Sequence, residues 1–180
     1  MIGAVVLAAG AAERFGGPKQ RVLLRPVLER VRASSVDEIV VVLGAHEVET
    51  DARTVLCAEW ERGPGASLRC GLEALAPGTQ AAVVILADGP DLTPAAVDRV
   101  IDAWRAGQGE VLAASHGGER SHPVLLARSA WARVPDEGAR ALEPVLVPCD
   151  DLEPPGDVDY PEDLPPQLST GESGGPPASP

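Results

Sequence analysis

Three stretches of this chain are apolar, but for Glu38 at the head of one, and then break on small or turn-forming residues. They are Ile2–Leu7 before Ala8-Ala9-Gly10, Glu38–Leu43 before Gly44, and Ala81–Ala87 before Asp88-Gly89-Pro90. A strand with one wet face alternates apolar and polar side chains; a strand apolar throughout is buried on both faces, as in a parallel sheet covered by helices. Helical stripes separate the strands. Ser67–Leu75 places Leu68, Leu72 and Leu75 on one face, and Val27–Val31 fits a short helix. After Thr93 as N-cap and Pro94 in the first position, Val97, Val100, Ile101 and Trp104 form a stripe that stops at Gly107. Arg53–Cys57 and Val145–Val147 are weaker strands, and Glu110–Ser115 with His122–Ala127 suits an antiparallel hairpin around Gly117-Gly118. The pattern predicts an α/β fold of three layers, α/β/α and Rossmann-like, with a mostly parallel sheet. One domain is expected over residues 1–164. Residues 165–180, dominated by Pro, Ser, Thr and Gly, are expected to form a disordered tail. Aromatic residues are only 3% of the chain, so the core must be aliphatic.

In sheets of this kind ligands bind beyond the carboxyl ends of the strands, where the chemistry-bearing residues of this chain gather. The first strand empties into a small-residue loop, and Arg14, Gly16-Gly17, Pro18 and Lys19 follow. Uncovered backbone N–H groups in such a loop form a nest for anions, and the two cations that follow would hold a polyphosphate. No Gly-Lys-Ser/Thr follows, so this is not a P-loop, and the Gly-x-Gly-x-x-Gly dinucleotide fingerprint is absent as well. Asp88 stands directly at the end of the third apolar strand, placed either to hold Mg²⁺ beside phosphates or to cap the turn at Pro90. Near the C-terminus, Asp157-Val158-Asp159-Tyr160-Pro161-Glu162-Asp163 supplies further carboxylates. Asp157 and Asp159 are read as facing opposite ways. Asp159, beside the turn at Pro161, is the expected second metal ligand, and Pro161 is expected to open a short helix.

The formal net charge of −12 excludes a broad surface for nucleic acid, though local cations still permit a small anionic substrate. No apolar run is long enough to span a membrane, and the N-terminus lacks a signal-peptide pattern, so the expected location is the cytoplasm. Cys57, Cys70 and Cys149 are odd in number and widely spaced, which argues against a disulfide framework or a zinc site. His46 and His116 lack a second ligand at metal spacing and are expected at the surface.

The loop Leu7-Ala8-Ala9-Gly10, with Arg14, Gly16, Pro18 and Lys19 in order, resembles the signature loop of nucleotidyltransferases of the glycosyltransferase-A-like fold. Further segments are similar to molybdenum cofactor cytidylyltransferases over residues 2–164. They are Trp60-Glu61-Arg62-Gly63 leading into Ser67-Leu68-Arg69-Cys70-Gly71-Leu72, then Leu86-Ala87-Asp88-Gly89-Pro90, His122-Pro123-Val124-Leu125, Glu137-Gly138-Ala139-Arg140 and Asp157–Asp163. The resemblance implies transfer of a nucleoside monophosphate, CMP from CTP, to the phosphate of molybdopterin or its molybdenum form, with loss of pyrophosphate. It implies catalysis by Lys19, Arg14 and Asp88, and nucleotide binding by Leu7, Ala8, Ala9, Gly10, Arg14, Lys19 and Asp88. Arg69 and His122 would meet the substrate, and Mg²⁺ would sit on Asp88 and Asp159. A molybdoenzyme apoprotein is an implied partner. Rival readings are a guanylyltransferase using GTP on a pterin or another small phosphorylated acceptor, and a non-catalytic nucleotide- or pterin-binding chaperone. The chain departs from the family pattern at Gly89, Pro64, Ser121 and Tyr160. It also departs after Lys19, where a Gly-containing hairpin is expected to be shortened because Gln20–Arg25 runs almost directly into Pro26-Val27-Leu28.

Overall fold

The computed structural model describes residues 1–12 and 15–169. Strands β1 (Ile2–Ala8), β2 (Glu38–Leu43), β3 (Arg53–Leu56), β4 (Ala81–Leu86), β5 (Val111–His116), β6 (Glu119–Ala127) and β7 (Val145–Pro148) form one seven-stranded sheet, in the order β3-β2-β1-β4-β6-β5-β7. Every pairing is parallel except the two made by β6, which runs against β4 and β5. The mostly parallel three-layer expectation therefore holds. The expected hairpin between β5 and β6 forms around Gly117-Gly118 and turns the chain back, so that β6 inserts between β4 and β5.

Strand alternation sorts the core into two halves. From β1, Ala4 and Val6 face helix α1 (Gln20–Arg32) and helix α3 (Pro94–Arg105), meeting Leu24, Val27, Leu28, Val97 and Ile101. Val5, together with Val40, Val42 and Val84, faces helix α2 (Pro64–Ala74) through Leu68 and Leu72. Val5, Val6, Leu28, Leu68 and Ile101 are at most 2% exposed, and burying such a side chain contributes about 1.5–3 kcal/mol. Helix α3 starts as read from sequence: Thr93 Oγ1 accepts from the Ala96 N–H at 3.3 Å, and Pro94 takes the first position.

Helix α1 is a correction. It begins at Gln20, immediately after Lys19, and not at Val27. The hairpin that the resemblance placed here is absent, and Pro26 sits inside the helix. Proline supplies no N–H and crowds the carbonyl four residues back, here that of Val22, on the helix's solvent side where water can satisfy it. Pro161–Asp163 forms one 3-10 turn where a short helix was expected. Within the segment 165–180, Pro166–Ser169 forms one helical turn, α4, and residues 170–180 lie outside the described residues. No described helix is long and apolar enough to cross a membrane.

A second correction concerns the cysteines. Cys57, just past β3, and Cys70, on α2, are joined in a disulfide with their Cα atoms 5.9 Å apart; Cys149 is free and buried. The pairing escapes sequence reading because it depends on α2 folding back over the carboxyl ends of β2 and β3.

The N-terminus of α2 is fixed by a segment some seventy residues further along the chain. The Gly65 N–H donates to the Asp136 carbonyl at 2.9 Å, and a Cβ on Gly65 would lie inside the Pro135 carbonyl oxygen. Because that obstacle is backbone, it cannot yield as a side-chain tip would. Gly65→Ala is expected to destabilise the fold by about 3 kcal/mol, read as a lower urea midpoint at unchanged slope. Unchanged stability would show that the 134–138 segment is not pinned there.

Candidate active site

The site begins with Lys19, the last residue before α1. Its ammonium donates to Asp88 Oδ2 at 2.9 Å and to the Val158 carbonyl at 2.6 Å, and lies 3.6 Å from Asp159 Oδ1. The three acceptors come from the loop after β4 and from the C-terminal segment. Main-chain bonds hold these two segments together: the Val158 N–H donates to the Asp88 carbonyl at 3.1 Å, and the Asp91 N–H to the Pro155 carbonyl at 3.0 Å. Gly89 fits this contact, since a Cβ there would stand 3.1 Å from the Pro155 oxygen. The departure from the family pattern at Gly89 therefore has a local steric counterpart.

A cavity of about 370 Å³ opens beside this cluster, lined by Leu7, Ala8 and Gly10 from the first loop and by Lys19, Asp88 and Asp159. Ala9 is buried beneath the loop, and its carbonyl accepts from the Ala45 N–H at 3.0 Å. Arg14 lies outside the described residues. The carboxyl end of the sheet thus brings Lys19, Asp88, Asp159 and the Leu7–Gly10 loop to one place.

The reading of Asp157 and Asp159 as facing opposite ways is corrected. Residues two apart in extended chain share a side. Val158 between them is 2% exposed and points into the core, so both carboxylates face away from it. Partial desolvation, then Asp88 and then Asp159, hold the Asp157 carboxyl above its usual range. Negative charge is thus concentrated around one ammonium. Two convergent carboxylates offer hard oxygen donors of the kind Mg²⁺ or Mn²⁺ takes, and phosphate oxygens would complete the shell. Among the described residues no group of three or more His, Cys, Asp or Glu forms a metal site by itself.

Arg69 and His122 are absent from the cavity lining. Arg69 donates to the Val134 carbonyl at 2.9 Å and forms an ion pair with Asp136. Hydrogen bonding from Arg69, reinforced by Arg62, holds the Asp136 carboxyl below the usual range against its desolvation. Arg69 therefore fastens the 134–136 segment to α2. His122 lies on β6, joined to Pro123 by a cis peptide. Burial pushes its pKa down; Arg120 adds to this, while the Val84 backbone and Asp88 oppose it. A neutral imidazole beside the acidic cluster results at neutral pH.

Two residues that sequence reading passed over touch the first loop. Gln20 is 4% exposed, and its Nε2 donates to the Gly10 carbonyl at 2.8 Å. His46, expected at the surface, is half-buried with its Nε2 2.9 Å from the Ala11 carbonyl. Since a carbonyl only accepts, that nitrogen carries the proton. The only advance signal for Gln20 was its position directly after Lys19; His46 gave none.

The fold is similar to that of Rv0371c from Mycobacterium tuberculosis H37Rv, with TM-score 0.73 and 26% identity over 90% of this chain and 94% of that one. A complex of Rv0371c with manganese matches with TM-score 0.63 and 23% identity over 82% and 86% of the two chains. Molybdopterin-guanine dinucleotide biosynthesis protein A from Archaeoglobus fulgidus shares the fold, with TM-score 0.65 and 17% identity over 89% and 94%. No curated protein sequence matches significantly. Residues 4–146 match the sequence profile of the MobA-like NTP transferase domain. That match, over most of the chain, places this protein in the MobA-like NTP transferase family, as a nucleotidyltransferase.

Proposed function

We propose that the protein transfers CMP from CTP to the terminal phosphate of molybdopterin or its molybdenum form and releases pyrophosphate. The observation that carries this reading is the convergence of Lys19, Asp88 and Asp159 beneath the Gly10 loop, at the cavity that would take the triphosphate. The pterin acceptor and the cytosine base rest on the cytidylyltransferase-like segments around Ser67–Leu72, His122–Leu125 and Asp157–Asp163.

The reacting phosphate needs little help from a base, because a phosphate monoester is largely dianionic at neutral pH. The protein's share is alignment and charge compensation. The loop N–H groups would hold the phosphates, and Lys19 and Arg14 would neutralise the triphosphate and the departing pyrophosphate. Asp88 and Asp159 would hold a divalent cation, which lowers the repulsion between the two phosphate groups. With a triphosphate bound, Lys19 would exchange part of its bonding to Asp88 and Asp159 for phosphate oxygens, and the carboxylates would turn to the cation. Manganese in the M. tuberculosis relative supports a divalent requirement. The missing hairpin after Lys19 favours one second reading, GTP as donor on the same acceptor, because the departure from the cytidylyltransferase pattern lies beside the nucleotide cavity.

The test is Mg²⁺-dependent pyrophosphate release with molybdopterin as acceptor and each of the four nucleoside triphosphates supplied alone. Release with CTP only is the expected result. Release with GTP only moves the protein to the second reading, and silence with every nucleotide refutes both. Removing divalent ions with EDTA should stop turnover, and Mg²⁺ or Mn²⁺ should restore it.

Asp88→Asn keeps the side chain's size and an acceptor for Lys19. It is expected to lower kcat by at least about a hundredfold while circular dichroism and Tm stay near wild type. Normal turnover in that variant would refute the metal assignment.

A further inference from the structure

Three successive carbonyls of the first loop are held by groups outside it. The Ala9 carbonyl accepts from the Ala45 N–H, the Gly10 carbonyl from Gln20 Nε2 and the Ala11 carbonyl from His46 Nε2, at 3.0, 2.8 and 2.9 Å. In a trans peptide the N–H points opposite to the C=O, and the one cis peptide among the described residues is at Pro123. The N–H groups of Gly10, Ala11 and Ala12 are therefore turned the other way, on the side of the cavity that all three residues line. None of the three donates to a described residue. Ala12 completes the bend at φ +53°, a left-handed conformation that a residue with a Cβ adopts only under constraint.

Gln20 is held at a cost. Its Nε2 is engaged, but its Oε1 is buried and finds no partner among the described residues, and an unsatisfied buried acceptor destabilises a fold. A leucine of similar size would remove both the bond and the penalty. Stability therefore does not account for the amide, whereas the orientation of the Gly10 peptide does.

We propose that Gln20 and His46 are positioning residues that clamp the carbonyls of Gly10 and Ala11 and so aim the loop's N–H groups at the phosphates of the nucleotide. The inference rests on reading this loop as the triphosphate seat. Gln20 adds a mechanical link: it is the first residue of α1 and neighbours Lys19, so loop and lysine are set by the same helix end. His46 reaches the loop from beyond β2, as does Ala45.

The experiment is calorimetric titration of inorganic tripolyphosphate with Mg²⁺ into the wild type, Gln20→Leu, His46→Leu, His46→Gln and the Gln20→Leu/His46→Leu double variant. Thermal unfolding and nucleotide kinetics are measured on the same samples. Each leucine variant is expected to bind about tenfold more weakly, one net hydrogen bond's worth. The double variant should lose less than the product of the two, because both side chains act on adjoining peptides. His46→Gln retains a donor at similar reach and should bind like wild type. Gln20→Leu should keep or raise Tm while KM for the nucleotide rises more than kcat falls. Tripolyphosphate affinity unchanged in both leucine variants of an active enzyme overturns the clamp alone. A loss that follows Tm and is not restored in His46→Gln overturns it too, as does a wild type that fails to bind tripolyphosphate. If the variants weaken binding as described in a protein that transfers no nucleotide, the clamp stands and the transferase reading falls.

Discussion

The ammonium of Lys19 is the point on which the site is built. It joins segments that are far apart in sequence: the end of the first loop, the turn after β4 and the C-terminal strap. Carboxylates brought as close as Asp88, Asp157 and Asp159 repel one another, and that repulsion adds to the partial desolvation that chiefly raises Asp157. A single cation between them, mostly shielded from water, offsets much of it; charges taken out of water interact more strongly than exposed ones. The arrangement is stable only while a cation is present. Lys19 supplies that cation from within the chain.

Lys19 can serve because the sheet places it. β1 and β4 are neighbours in parallel register, so their carboxyl ends, Ala8 and Asp88, emerge side by side. The strap at 155–159 then lies along the β4 turn through main-chain bonds. Helix α1 starts at once after Lys19, giving the lysine backbone the rigidity of a helix end. The region near α2 is held separately, by Arg69, Arg62 and Asp136 and by the Gly65–Asp136 contact. From β6, Arg120 adds bonds to the carbonyls of Ala139, Arg140 and Leu142.

What sequence could and could not disclose follows from the range of the interactions. The central strands were legible because burial on both faces leaves a continuous apolar run, and α3 because its cap, first-turn proline and stripe are all local. Lys19, Asp88 and Asp159 were legible as chemistry at strand ends. The length of α1 was not: Pro26 reads as a boundary, yet the helix accommodates it at a solvent-facing turn. For Arg69 the resemblance gave a substrate contact; its ion-pair partner, Asp136, lies 67 residues away in sequence. The Cys57–Cys70 pair and the reach of His46 to Ala11 are likewise products of tertiary folding, with no local pattern to announce them. The pairing of Asp157 with Asp159 on one side was available from strand geometry alone, and Val158 in the core makes it plain.

The strap is bound to the β4 turn by its backbone, not by its side chains. Peptide groups are the same whatever residues carry them, so these bonds do not depend on the exposed side chains of the strap, while Val158 anchors it in the core. Such a scaffold can explore new ligand sets one substitution at a time without first losing its shape. Selection can then change the groups displayed around Lys19 while the sheet beneath stays as it is.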